Sequence, residues 1–152
     1  MSVYFINRYL YQLILIFLLA VILTSSAVAE NAVRTIRVSS TLDFNAILIT
    51  EVDVIFIYDE DLAGTLSTVK GDWYREKYSL LEKAEIAMEV ITISVPQGFS
   101  YETVSLPERH SSAVKILVTA KHEAQNSSLY DITQRTNTLI EIYEYGITIS
   151  GQ

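Results

Sequence analysis

The sequence predicts a mainly β fold, a two-sheet β-sandwich with one short helical insert. Several segments alternate apolar and polar residues with a period of two, which is typical of strands that bury one face. One stretch instead repeats its apolar residues at helical spacing. Turn-forming residues separate these segments at short intervals, and many short strands of this kind indicate two packed sheets.

The first part of the chain, residues 1–29, has the features of an export signal. It carries one charged residue, Arg8, ahead of residues 13–23, which are 11 consecutive apolar residues. Small residues at the spacing of a cleavage site follow and end at Ala29, so the pattern predicts a signal peptide. An uncleaved anchor is the alternative, although a spanning helix needs about 20 apolar residues. We expect an exported protein of the periplasm or cell envelope, with residues 30–152 as a single domain.

Strand candidates lie on both sides of the helical stretch. Alternation is clearest in residues 89–95 and 114–121, while residues 52–58 are apolar at nearly every position. The latter pattern predicts a central strand that is covered on both faces. The other predicted strands are residues 33–38, 42–49, 101–106, 129–133, 137–145 and 147–150.

The helical insert is predicted over residues 73–88. Tyr74, Tyr78 and Leu81 recur at helical spacing and should bury one face, with Lys77 on the opposite side. Asp72 is suited to cap the first turn, because its carboxylate can accept the free amide protons there. A second capping pattern inside the segment leaves two short helices as the alternative.

Composition excludes several functions for this chain of 152 residues and formal charge −7. The absence of cysteine excludes disulfides, cysteine-ligated metals and a cysteine nucleophile. The acidic balance argues against nucleic acid as a partner, since the phosphate backbone requires a clustered basic surface. There is no glycine-rich phosphate loop and no nucleophile elbow.

Candidate catalytic or metal-binding residues are few. His110 precedes two serines, but local adjacency does not assemble a catalytic triad, and we expect a solvated loop residue. For His122, at the end of a predicted strand, we expect a surface position. The acidic residues Asp59, Glu60 and Asp61 lack the alternating oxygen ligands of a calcium loop, so a solvated acidic turn is expected. We therefore predict no enzyme activity, no cofactor and no metal.

The order of elements resembles one family, the outer-membrane-associated lipoproteins of bacterial type VI secretion (TssJ family). The resemblance covers residues 50–150 and depends on the order of four segments. The first two are an apolar strand that ends at Tyr58 and the insert from Asp72-Trp73 to Leu80-Leu81. The other two are a Pro96-Gln97-Gly98 turn and residues 114–120, which lead into Lys121-His122-Glu123. It implies a transthyretin-like sandwich with a helical insert after an early strand. The acylated cysteine of the family is absent, and so is its tryptophan after the alanine-containing strand, where Leu129-Tyr130 stand.

The resemblance implies a non-enzymatic periplasmic component of an envelope-spanning, type VI-like secretion apparatus. Such a component would dock onto the periplasmic domain of an inner-membrane partner, and it would meet a membrane only through an uncleaved N-terminal segment or through a partner. An exported β-sandwich adhesin, a pilus-type subunit or a small-ligand-binding protein is the alternative.

We predict the docking site in the acidic turn over residues 59–70, because a loop on a rigid scaffold is a common place for recognition. Leu62 and Leu66 would be the apolar anchors of this site. The acidic cluster would set orientation and association rate. A solvated connection into the helix is the alternative. The residues predicted to bind the partner are Asp59, Glu60, Asp61, Leu62 and Leu66.

Overall fold

The computed structural model describes residues 31–40, 49–68, 73–94, 102–122, 128–143 and 146–151. These residues form eight strands, two α-helices and two short 3₁₀ turns. The strands are β1 Thr35–Ser40, β2 Ile49–Ile57, β3 Met88–Ser94, β4 Glu102–Thr103, β5 Lys115–His122, β6 Tyr130–Asp131, β7 Asn137–Tyr143 and β8 Gly146–Gly151. The helices are α1 Glu60–Thr68 and α2 Trp73–Ala84, and the 3₁₀ turns are Glu85–Ala87 and His110–Ser112.

The strands form two four-stranded sheets. Sheet A has the order β4-β1-β7-β8, and sheet B has the order β3-β2-β5-β6. Neighbouring strands are antiparallel except for β1 and β7, which run parallel. The predicted two-sheet sandwich with a helical insert is therefore confirmed.

The main core lies between the two sheets. Its residues come from alternate positions of the strands, because successive side chains of a strand point to opposite faces. In β2 these are Val52, Val54 and Phe56, which are fully buried. The other strands contribute mainly isoleucine and valine at the matching positions, including Ile36 of β1 and Ile140 of β7.

A second core covers the outer face of sheet B. Ile55 and Ile57 of β2 point to this side, where they pack with Leu66 of α1 and Trp73 of α2. Strand β2 lies between β3 and β5, and its residues 52–57 are buried on both faces, as their nearly continuous apolar sequence predicts. The helical insert between β2 and β3 thus closes the outer face of one sheet.

The structure changes the predicted bounds of both segments of the helical insert. The predicted turn over residues 59–70 is wrong at its start, because helix α1 begins at Glu60. The helix predicted over residues 73–88 ends at Ala84, and Met88 already belongs to β3. The signal peptide, most of the strand predicted at 42–49 and the turn at 96–98 lie outside the described residues. No helix in the described ranges is long and apolar enough to span a bilayer.

Candidate functional site

The acidic residues predicted to bind a partner begin helix α1. The side chain of Asp59 accepts a hydrogen bond from the Leu62 N–H at 2.8 Å, which is the contact of an N-cap residue. Glu60 and Asp61 occupy the first helical turn, where negative charge is favoured by the free N–H groups of the helix end. All three acidic residues are exposed. The structure therefore presents them together, with Asp59 held in place by its capping contact.

The two predicted apolar anchors differ in accessibility. Leu62 is half-buried and packs against the second core. Leu66 is only 1% exposed, so its prediction as an accessible anchor is wrong. Because the segment is helical, Leu66 lies one turn beyond Leu62 and points into the sheet rather than to solvent.

An open groove of about 680 Å³ runs beside α1. Glu60 and Gly64 line it on the helix side, and Lys115 and Asp131 line it on the side of sheet B. A Cβ atom placed on Gly64 would have no atom within 4 Å, so the space in front of this residue is free. The complete lining is Glu60, Ala63, Gly64, Val114, Lys115, Asp131, Thr133, Gln134 and Arg135. We call this feature the α1 groove.

The side of the α1 groove formed by sheet B is held by polar contacts. Asp131 accepts hydrogen bonds from the Thr133 hydroxyl at 2.6 Å and the Thr133 N–H at 2.9 Å, and its other oxygen lies 3.5 Å from Lys115 Nζ. Partial burial raises the pKa of Asp131, but the Thr133 hydrogen bonds and the Lys115 charge outweigh it and leave the pKa below its usual value. The groove thus presents fixed carboxylates and basic groups side by side, and this arrangement is suited to contact with a polar surface of another protein.

A polar cluster around a buried carboxylate, under helix α2, is the strongest feature that the sequence analysis missed. The side chain of Asp53, in β2, is fully buried and accepts hydrogen bonds from Lys77 Nζ at 2.8 Å, Trp73 Nε1 at 2.8 Å and the Thr92 hydroxyl at 2.6 Å. Lys77 Nζ also donates to the Thr92 hydroxyl at 2.8 Å. We call these four residues the Asp53 cluster. It joins α2 to two strands of sheet B through one carboxylate.

The Asp53 cluster also corrects the predicted orientation of α2. Tyr78, predicted to be buried, is 79% exposed, whereas Lys77, predicted to be on the open face, is only 7% exposed. Tyr74 and Leu81 are half-buried against the second core. The helix is rotated relative to the prediction because Trp73 and Lys77, one turn apart, both turn toward Asp53.

A second charged cluster lies where β2 ends. The Arg109 guanidinium stands 3.7 Å from the centre of the Tyr58 ring and forms an ion pair with Glu89 at 2.5 Å. Arg109 also donates to the Ile86 carbonyl. Burial, with a further contribution from the Glu89 charge, raises the pKa of Tyr58 to about 12. These contacts join the chain ahead of β5 to the start of β3.

His110, predicted to be a solvated loop residue, begins the 3₁₀ turn His110–Ser112. Its Nδ1 lies 2.8 Å from the Pro107 carbonyl oxygen, and its own carbonyl accepts a hydrogen bond from the Asn31 side chain at 2.6 Å. The side chain of His122 lies outside the description. Within the described ranges, no three histidine or acidic side chains come together as a group that could hold a metal ion.

Comparison with known proteins gives two solved structures similar to this chain. One is Serratia marcescens Lip, a membrane bound component of the type VI secretion system, with a TM-score of 0.46 and 9% identity, over 82% of this chain and 99% of that one. The other is the T6SS lipoprotein TssJ1 from Pseudomonas aeruginosa, with a TM-score of 0.46 and 9% identity, over 81% and 97%. No protein-family model and no curated protein matches the sequence.

Proposed function

We propose that this protein is a non-enzymatic structural component of an envelope-spanning, type VI-like secretion apparatus, which docks onto the periplasmic domain of an inner-membrane component. The observation that carries the proposal is the position of the helical insert. Helices α1 and α2 follow the apolar strand β2, cover the outer face of sheet B and lead into β3. This is the order of elements on which the sequence resemblance depends.

The docking surface in this proposal consists of the exposed acidic start of α1 and the adjoining α1 groove. Glu60 belongs to both, because it is in the first turn of α1 and also lines the groove. Exposed charges of one sign accelerate encounter with a partner of opposite sign, and a concave surface beside them supplies contact area. Leu62, half-buried beside this surface, would contribute its exposed part, while Leu66 supports the helix from below.

Gly64 provides the sharpest test of this surface. Gly64→Gln should project a side chain into the open α1 groove, because Gly64 lines this groove and nothing lies within 4 Å of the added Cβ. We expect it to abolish recovery of the partner from envelope extracts while leaving the protein folded. Gly64→Ala is the matched control, since it adds one methyl group, favours the helix by about 0.5–1 kcal/mol and should retain the partner.

The acidic start of α1 is tested by removing charge without removing the cap. The double variant Glu60→Gln with Asp61→Asn keeps Asp59 as the N-cap and should slow association and flatten its dependence on salt. Glu76→Gln with Glu82→Gln removes the same charge from exposed positions of α2 and should leave association unchanged. Equal partner recovery by Gly64→Gln, Gly64→Ala and the unsubstituted protein would exclude the groove. A recovered partner that is not part of a secretion apparatus would exclude the proposed function itself.

A further inference from the structure

The turn between α2 and β3 exposes an apolar side chain next to a strained residue. Ile86 is 79% exposed, although isoleucine is among the residues that are most often buried. Glu85, just before it, has a φ of +47° and is the only residue other than glycine with a positive φ in the described ranges. Residues with a Cβ atom rarely adopt this left-handed conformation, and such strain persists only where the surrounding structure enforces it. The chain thus turns Ile86 outward at a local cost that burial of its side chain does not offset.

Two hydrogen bonds hold this turn in place. Arg109 donates to the Ile86 carbonyl, and the Tyr58 N–H donates to the Ala87 carbonyl at 2.8 Å. Arg109 is itself fixed by its ion pair with Glu89. The backbone that carries Ile86 is therefore fixed before any partner binds, so little conformational freedom is lost when a partner covers the side chain.

Ile86 lies beside the acidic start of α1. The hydrogen bond between Tyr58 and Ala87 continues the antiparallel register of β2 and β3 by one residue. Asp59 and Ile86 are the next residues of the two segments and are therefore neighbours, since opposite residues of an antiparallel pair are about 5 Å apart. Asp59 and Glu85 are both exposed. We call Asp59, Glu85 and Ile86 the Ile86 surface, and it is continuous with the proposed docking surface through Asp59.

The charges around Ile86 select the kind of partner that covers it. The basic residue at this turn, Arg109, is paired with Glu89 and stacked on Tyr58, whereas the carboxylates of Asp59 and Glu85 are exposed. A second copy of this chain would bring the same carboxylates against each other, because a two-fold interface pairs identical surfaces. An anionic lipid surface would be repelled for the same reason. The complementary surface is an apolar pocket with lysine or arginine at its rim.

We infer that Ile86 is the apolar anchor of the docking surface and inserts into an apolar pocket, rimmed by basic residues, on a partner protein. The inference rests on the proposed function for the identity of that partner, while the anchor and its chemistry follow from the turn itself. Ile86 takes the role predicted for Leu66, which is buried and cannot fill it. The isoleucine supplies affinity, and the carboxylates beside it set orientation and association rate.

The test uses the partner that the unsubstituted protein recovers from envelope extracts, identified by mass spectrometry and then purified. Ile86→Ser should weaken binding about tenfold or more, because it removes the side chain that fills the pocket. Ile86→Val keeps a branched apolar side chain and should retain most of the affinity. Tyr78→Ser is the matched control, since Tyr78 is also 79% exposed but lies in the middle of α2, and it should bind as the unsubstituted protein does. All three variants should unfold near the same urea concentration as the unsubstituted protein.

The basic rim of the partner is tested separately through the charge of Glu85. Glu85→Gln removes the carboxylate at nearly constant size, and it should lower the association rate and weaken the dependence of that rate on salt. Glu102→Gln removes the same charge from an exposed position of β4, in the other sheet, and should leave the association rate unchanged. Equal association rates for the two variants would overturn the basic rim.

The outcomes separate this inference from the proposed function. Equal affinities of Ile86→Ser and Tyr78→Ser for a secretion-apparatus partner overturn the anchor and leave the proposed function intact. A partner from another assembly that Ile86→Ser fails to bind excludes the proposed function and supports the anchor. Recovery of no partner by the unsubstituted protein overturns both. A dimer seen in sedimentation, or binding to vesicles of anionic phospholipid, overturns the inference if Ile86→Ser abolishes it, because the surface then belongs to a second copy or to a membrane.

Discussion

The prediction most specific to this structure concerns the ion pair between Lys77 and Asp53. Lys77→Ala removes the Nζ group that lies 2.8 Å from Asp53 Oδ1 and also donates to the Thr92 hydroxyl at 2.8 Å. The Asp53 side chain is fully buried and that of Lys77 is 9% exposed, so Lys77→Ala leaves a buried carboxylate without its charged partner. We therefore expect a large loss of stability from a residue that lies in the middle of a surface helix.

The magnitude follows from two independent estimates. Removing one member of a buried ion pair costs about 3–5 kcal/mol, because the remaining charge is left without compensation. Counted as two hydrogen bonds that involve a charged group, at about 1.5–3 kcal/mol each, the loss is about 3–6 kcal/mol. Either value is a large part of the free energy of unfolding of a typical domain, which is about 5–15 kcal/mol. The sequence pattern alone, with Lys77 on the open face, predicts a change within about 0.5 kcal/mol.

Urea unfolding followed by tryptophan fluorescence measures this change directly. Trp73 is the only tryptophan in the chain and bonds to Asp53, so the signal reports on the cluster itself. Lys83→Ala, an exposed lysine of the same helix, is the control and should stay within about 0.5 kcal/mol. Lys77→Met combined with Asp53→Asn removes both charges but keeps an acceptor for Trp73, and it should recover most of the loss. Equal unfolding free energies for Lys77→Ala and Lys83→Ala would refute the buried ion pair.

Three further predictions concern packing, capping and pH. Leu66→Ala should lower the free energy of unfolding in urea by about 2–5 kcal/mol, because Leu66 is 1% exposed. Tyr78 is 79% exposed, so Tyr78→Ala should change it by no more than about 0.5 kcal/mol in the same assay. Asp59→Ala should cost about 0.5–2 kcal/mol, and Asp59→Ser, which retains a capping oxygen, should cost less in the same assay. Burial raises the pKa of Tyr58 to about 12 and also raises the pKa of Tyr74. The unfolded chain therefore releases these protons first, and stability that is complete below pH 10 is lost as pH rises toward 12. Tyr74→Phe should therefore retain more of its neutral-pH stability than the unsubstituted protein when both are unfolded in urea at about pH 11.

The strands could be predicted from sequence because burial on one face leaves a direct pattern with a period of two. Residues 52–58, which are apolar at nearly every position, likewise indicated a strand covered on both sides. The same run contains Asp53, and a single polar residue in an apolar strand has no partner visible in the local sequence. Its partner Lys77 lies 24 residues away. The rotation of α2 depends on that tertiary contact, so a count of apolar residues alone placed Tyr78 on the wrong side.

Helix α1 was missed for a different reason. Its nine residues include a glycine, two threonines and a serine, which have modest or poor helix propensity, and its acidic start was interpreted as a turn. The cap provided by Asp59 and the burial of Leu66 stabilise a helix that propensity alone does not favour. The α1 groove could not be predicted either, because residues from α1, β5 and the segment after β6 meet only in the folded sheet.

The contacts that hold the helical insert on sheet B determine how rigid the proposed docking surface is. The Tyr58 N–H donates to the Ala87 carbonyl and the Val114 N–H to the Ile57 carbonyl, both at 2.8 Å, so the ends of β2, β3 and β5 are joined where α1 begins. The Asp53 cluster fixes α2 over the same sheet. A surface held in this way loses little conformational freedom on binding, which favours affinity. Trp73 of the Asp53 cluster belongs to the same core as Leu66 of α1. Lys77→Ala should therefore weaken partner binding together with stability, whereas Gly64→Gln should weaken binding alone, and this difference separates support of the surface from contact with the partner.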